Sequence, residues 1–405
     1  MQKLIVLLFA LPLYCFCQYT GTGSVTQGIA SATATNLFTC TGGRVTNIGT
    51  ITATDNSVWT VPALVNFTNS AFPFASDLNN PCTGANYANT MAALAALNGS
   101  DIITVDAGGE VITAFIFADN YFEMYINGVP VGKDNVPYTQ FNSNIIRFKV
   151  HRPFTIAMHL VDWEENLGIG TEASGGFSNH IGDGGMVAVF KDASDNTIAT
   201  TGSNWKAQTF YTAPVMDLTC PMESGSSRLS NNCSTQDSNN GSSYYGLHWA
   251  LPVNWMDAGF NDSYWPSAST YTNATVGVNN KPAYTNFTDI FDNANDNAEF
   301  IWSTNLILDN EVVVRYTVSG TTGIWNNENS NSKFNFYPNP ASSEIHIQPE
   351  LKDLKNISIH NSLGEKVYES NQYSETISLA GMSTGFYFVE VKVDDISLKQ
   401  KLIVK

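Results

Sequence analysis

The chain has 405 residues, 43% hydrophobic and 12% aromatic, enough apolar material for two or three packed domains, which excludes disorder over most of its length. Only 14% of residues are charged, and Gly, Asn, Ser and Thr fill their place, so strands and polar loops are favoured and a helical bundle or coiled coil is excluded. A net charge of −17 is repelled by phosphates and anionic lipid heads, which excludes nucleic acid as a partner and leaves neutral sugars, cations or basic proteins.

Residues 1–17 read as a signal peptide: Lys3 gives a positive start, Leu4 to Leu11 an apolar run, and cleavage is placed near Cys17–Gln18. Cys15 and Cys17 raise a lipoprotein alternative, but no Leu-x-Gly/Ala-Cys pattern precedes either. Beyond them no stretch is apolar for long enough to form a transmembrane helix, so none is expected in the mature chain. The cysteines that remain are Cys40, Cys82, Cys220 and Cys233, an even number in an exported chain, which suggests two disulfides. Three pairings are open, and proximity in the sequence favours Cys40–Cys82 and Cys220–Cys233. No CxxC and no histidine near a cysteine supports a zinc site.

Residues 18–99 form an N-terminal extension rich in Thr, Ala, Ser and Gly. The run 57–67 reads as a strand broken at Pro62, and YANTMAALAALNGS (87–100) as a short helix closed at Asn98-Gly99. The segment 100–319 is a succession of strands: VITAFIFA, then FEMYI and VPVG around Asn127-Gly128, IIRFKV, FTIAMHLVDW, and a pair of strands around Asp192–Asn196. EFIWSTNLILDNEVVVRYTV predicts two more strands around Asp309-Asn310. Such spacing predicts a β-sandwich or jelly roll. FADNYFEMYINGVPVG, GFNDSYWPSA and AEFIWS occur in the order in which related elements occur in galactose-binding-like jelly-roll modules, which this segment resembles. That resemblance implies a sugar-binding fold and leaves room for a structural calcium, with no other cofactor expected.

No nucleophile elbow, zinc-protease helix, phosphate-binding loop or dinucleotide loop occurs, so the chain reads as non-enzymatic. An aromatic ring stacks on the apolar face of a sugar while neighbouring polar groups bond its hydroxyls. On that chemistry the expected ligand contacts are Trp163 with Asp162 and Glu164 in VDWEENLG, and Tyr245, His248 and Trp249 after the Ser/Asn-rich loop. The alternative for these residues is burial inside the sandwich, and for Asp162 and Glu164 a solvated acidic loop or oxygen ligands for calcium.

A linker is expected over 320–333, followed by a unit over 334–405. There Phe334, Phe336, Ile345 and Ile347 alternate with polar residues, a hairpin turns at Asn361–Gly364, and GFYFVEVKVDD pairs with ISLKQKLIVK. Short antiparallel strands over such a length predict a small Ig-like β-sandwich. YPNPA, ISIHNSLGEKVY, Gly385-Phe386-Tyr387 and the Lys-rich KQKLIVK are similar to the C-terminal sorting domain of the type IX secretion system. The resemblance assigns the sorting signal to Tyr337, Pro338, Asn339, Pro340, Gly385, Lys401 and Lys405, and implies the type IX machinery as partner and release or attachment at the cell surface after passage through the periplasm. The fold class expected is therefore all-β: a galactose-binding-like jelly roll with an N-terminal extension, plus a small Ig-like sandwich. Carbohydrate binding is the expected activity; a structural or adhesive surface protein and a polysaccharide-degrading enzyme are the alternatives.

Overall fold

Strand Tyr121–Ile126 turns at Asn127-Gly128 into Val129–Lys133, with both turn residues at positive φ (51° and 85°), the backbone that a two-residue hairpin needs and that Asn and Gly adopt at least cost. The computed structural model describes residues 22–97, 99–138, 141–224, 227–236, 239–319, 335–348, 354–361, 364–372, 374–393 and 396–405. The expected signal peptide and linker, Phe334 and Asn98 lie outside them. The chain divides into two units at 319/320.

In the first unit two sheets face each other. The seven-stranded sheet runs, edge to edge, Ser24–Gln27, Tyr245–His248, Lys206–Val215, Asp309–Val318, Phe154–Val161, Tyr121–Ile126, Val129–Lys133. The nine-stranded sheet runs Ser269–Tyr271, Phe300–Trp302, Gly185–Lys191, Glu110–Asp119, Ser143–Val150, Ser76–Asn80, Ala85–Asn86; Thr197–Thr200 and Ile102–Thr104 attach to it off this path. Between the sheets Ile112, Ala114 and Ile116 meet Met124, Met158 and Val314 in one apolar core.

The outer faces are covered as well. Phe72, Trp249, Trp255 and Trp265 lie over Tyr125, Ala157, Phe210 and Val313 of the seven-stranded sheet. Tyr284, from the short helix Pro282–Thr285, packs on Phe117 of the nine-stranded one. Burial on both faces explains why VITAFIFA and FTIAMHLV are near-continuous apolar runs rather than alternating ones. The Asp192–Asn196 turn forms as expected, with Asp192 Oδ1 accepting from the backbone N–H of Ser194 and Asn196.

The expected turn at Asp309-Asn310 is not there. Both residues are the first of strand Asp309–Val318, and Phe300–Trp302 belongs to the opposite sheet, so the chain crosses the sandwich at 303–308. Asp309 is needed inside: its carboxylate accepts hydrogen bonds from Thr209, Thr212 and Ser303. A turn-type dipeptide is thereby overridden by buried polar partners.

The N-terminal extension supplies strands to both sheets, Ser24–Gln27 to one and Ser76–Asn80 to the other. It also contains a three-stranded sheet of Ser31–Ala34, Ile48–Thr52 and Val58–Val61, the last ending at the residue before Pro62. Helix Thr90–Ala95 is capped by Asn89, whose side chain accepts from the Ala92 N–H. The disulfides are Cys40–Cys82 and Cys220–Cys233.

The second unit is a smaller two-sheet sandwich. A three-stranded sheet orders Asn335–Tyr337, Glu344–Gln348 and Thr376–Ser378; a four-stranded sheet orders Lys366–Ser370, Leu354–Asn361, Gly385–Val393 and Ile396–Val404. The alternate residues Ile345, Ile347, Ile357, Ile359, Val389 and Val391 fill its core, as period-two patterning requires.

Candidate functional site

The residues expected to contact a ligand fall in two places, and most are buried. Trp163 is 2% exposed; its backbone N–H donates to Asn120 Oδ1, its indole N–H donates to the Asn47 carbonyl, and its ring packs edge-on to Phe67 and Tyr121. Trp249 belongs to the cluster that covers the seven-stranded sheet. His248 lies between the rings of Tyr211 and Trp59, at 4.4 and 5.2 Å, its Nε2 2.9 Å from Thr26 Oγ1, and burial pulls its pKa down to about 3. Tyr245 is half-buried against the cluster of Val215, Cys220 and Leu308. Trp205, Trp255, Trp265 and Trp302 are buried too, whereas Trp59 is half-buried.

Asp162 and Glu164 do come together, but inside the protein. They are 3% and 4% exposed and lie near Asp119 and Glu172. Burial is the main reason that the carboxyls of Asp119, Asp162 and Glu164 are held far above the usual range; Asp162 adds to this at Asp119 and Glu164, and Asp183 and Glu172 add to it at Asp162. Arg44 neutralises only the rim, 2.8 Å from Glu172 Oε2. Among the described residues no group of three or more His, Cys, Asp or Glu side chains is arranged to hold a metal ion.

An open cleft of about 1060 Å³ lies beside this acidic group. One wall is the hairpin of Thr171–Ser174 and Phe177–Ile181, another the loop closed by Cys220–Cys233, and the floor is 304–307 with Tyr271. Asn305 fixes the floor, its side-chain N–H donating to Ser230 Oγ and its Oδ1 accepting from the Leu308 N–H. Phe177 is 70% exposed, and amide or carboxyl groups of Asn179, Asn231 and Asp183 share the lining. Burial raises the Asp183 carboxyl. Gly182 separates cleft from acidic group: a Cβ there would lie 1.8 Å from Glu164 Oε1. Phe177 and Tyr271 were not singled out from the sequence. The one available signal was an apolar residue directly after a Gly175-Gly176 turn, a place where a buried aromatic is not expected.

Of the residues assigned to a sorting signal in the second unit, Asn339, Gly385, Lys401 and Lys405 lie on or beside the last strand, whereas Tyr337 pairs with His346 in the three-stranded sheet. The 339–341 segment lies parallel to the last strand, with Ala341 bridged to Val404. The Ala341 N–H donates to the Ile403 carbonyl, and the Lys405 N–H donates to the Ala341 carbonyl, both at 2.8 Å. Pro338 and Pro340 have no N–H, and the side chain of Asn339 extends the ladder instead: Nδ2 donates to the Lys401 carbonyl at 2.8 Å and Oδ1 accepts from the Ile403 N–H at 2.9 Å. Gly385 pairs with Val404 at the start of the neighbouring strand. Residues 335–405 match the family model of the secretion system C-terminal sorting domain.

This unit is a type IX sorting domain. A sorting domain implies engagement with the type IX machinery and export to the outer surface or the extracellular space. Among the described residues no helix is long and apolar enough to cross a membrane. No curated protein matches the chain. Among solved structures, a Faecalibacterium prausnitzii beta-glucuronidase is similar at 10% identity and a TM-score of 0.18, over 95% of this chain and 45% of that one. The chain thus spans less than half of that protein's length.

Proposed function

We propose that the chain is an exported, non-catalytic binding protein that the sorting domain delivers to the cell surface or beyond, and that its first unit holds a neutral carbohydrate in the cleft between the Phe177 hairpin and the disulfide loop. The observation that carries this reading is the composition of the cleft: an exposed ring at Phe177, a half-buried ring at Tyr271, and amides of Asn179 and Asn231. Rings take the C–H face of a sugar and amides its hydroxyls. The net charge of −17 disfavours sulfated or uronic-acid polymers. The galactose-binding-like motif order supports the same reading.

Affinity electrophoresis of the secreted protein through gels of neutral polysaccharides tests it. Retardation by at least one polymer is expected, with Phe177→Ala weakening it about tenfold, the loss of one stacking contact. Free migration in every neutral polymer overturns it. The burial of all six tryptophans between 163 and 302 favours a second reading, a structural or adhesive surface protein without a sugar site. On that reading no polymer retards the chain and Phe177→Ala changes nothing.

A further inference from the structure

We propose that the sorting domain docks through the outer face of its four-stranded sheet around Phe386, Phe388 and Lys401, onto a component of the secretion machinery that presents an apolar pocket rimmed by carboxylates. The proposal rests on the export reading and adds to it which surface is recognised and by what chemistry.

Strand Gly385–Val393 alternates: Tyr387, Val389 and Val391 enter the core, and Phe386 and Phe388 point the other way, 53% and 46% exposed. The last strand places Ile403 opposite Phe386 and Lys401 opposite Phe388, so the four side chains share one face. The Lys401 ammonium lies 4.0 Å from the centre of the Phe386 ring. Single exposed apolar residues need no explanation, but two phenylalanines and an isoleucine adjacent on one sheet face are an interaction surface.

The occupant follows from charge and position. The patch carries a cation in a chain whose net charge is −17, so an acidic rim on the partner complements it. A second copy would instead bring the same lysine to the contact, which disfavours self-association. The patch is also continuous with the sorting signature. Lys401 and Ile403, which contribute side chains to this face, are the two residues whose backbone Asn339 holds. The YPNPA segment therefore acts as a positioning element for the strand that carries the docking cation, and the signal is assembled from both ends of the domain rather than read as one linear motif.

The test uses the full-length chain in the organism that makes it, with export measured as the ratio of surface plus extracellular protein to periplasmic protein. Phe386→Ser/Phe388→Ser and, separately, Lys401→Glu are expected to lower that ratio about tenfold or more, the loss of a docking hot spot, while Lys401→Arg exports normally. Melting of each purified chain controls for folding, and Lys401→Glu, on an exposed side chain, keeps the test decisive if the double serine variant unfolds. Normal export of folded Lys401→Glu overturns the proposal. So does a concentration-dependent dimer, seen by analytical ultracentrifugation, that Lys401→Glu abolishes without affecting export. Deletion of 335–405 separates the two claims: export that survives the deletion defeats the export reading itself, whereas export lost on deletion but kept in the face variants defeats only the assigned surface.

Discussion

The two units are both β-sandwiches, yet they fill their interiors differently. Among the described residues the sorting domain has an apolar core of Ile, Val, Leu and a few aromatics, with Ser358 its one buried polar residue. The first unit buries Asp119, Glu123, Lys133, His159, Asp162, Glu164, Asp309 and Arg315. Lys133 donates three hydrogen bonds to the carbonyls of Asn66, Phe67 and Asn69, which ties the extension to the sheet edge. His159 lies between Glu311, at 2.7 Å, and Glu123, at 3.9 Å. A small domain can be specified by periodic apolar residues alone; a larger one with covered outer faces also buries polar groups, which depend on partners that the rest of the fold brings to them.

The contrast predicts different responses to perturbation. The largest effect is expected in the apolar core: Ile359→Ala should cost about 4 kcal/mol in the unfolding free energy of the sorting domain, at all pH values alike. Denaturant titrations at two pH values check this, and a pH-dependent cost would break the contrast. In the first unit, Lys133→Met should cost about 3 kcal/mol, because three carbonyls lose their donor although the side-chain volume is kept. A chain as stable as the original would mean that water replaces the ammonium.

Next in size is a pH effect confined to the first unit. Burial lowers the His159 pKa, but Glu123 and Glu311 outweigh it and raise the value from 6.5 to about 9. The charged ring therefore contributes stability that is fully present below about pH 6.5 and lost as pH rises through about 9. His159→Gln should flatten that slope in melting experiments between those values. The smallest effect has the opposite sign to most substitutions. The folded-state pKa of Asp162 is raised, so the folded protein holds that proton more tightly and stability falls as pH rises above the ordinary carboxyl range. Asp162→Asn should thus stabilise the first unit by about 1 kcal/mol near pH 8 and leave it unchanged near pH 4. A lower melting temperature at pH 8 would show that the carboxylate has an essential partner.

Period-two runs such as Ile345–Ile347 and Val389–Val391, the Asn127-Gly128 turn and the short helix within 87–100 were legible in the residues, because each depends on interactions within a few positions of the chain. The sorting signature was legible for the same reason, as a local pattern at each end of its domain. The fate of Trp163 and Trp249 was left open between ligand contact and burial. Polar neighbours suggested loops open to solvent, and distant segments, 47–67 over one and 72 with 255–265 over the other, cover them. Likewise the Asp309-Asn310 pair has every local mark of a turn, and partners about a hundred residues earlier, at 209 and 212, together with Ser303, draw it into a strand. The cleft at Phe177 and Tyr271, the carboxyl group behind Gly182 and the bond from Asn339 to the last strand all join residues far apart in the chain. Composition and spacing specify elements through short-range sterics and patterning, whereas the pairing of buried polar groups and the exposure of a given ring are set by what the rest of the chain brings against them.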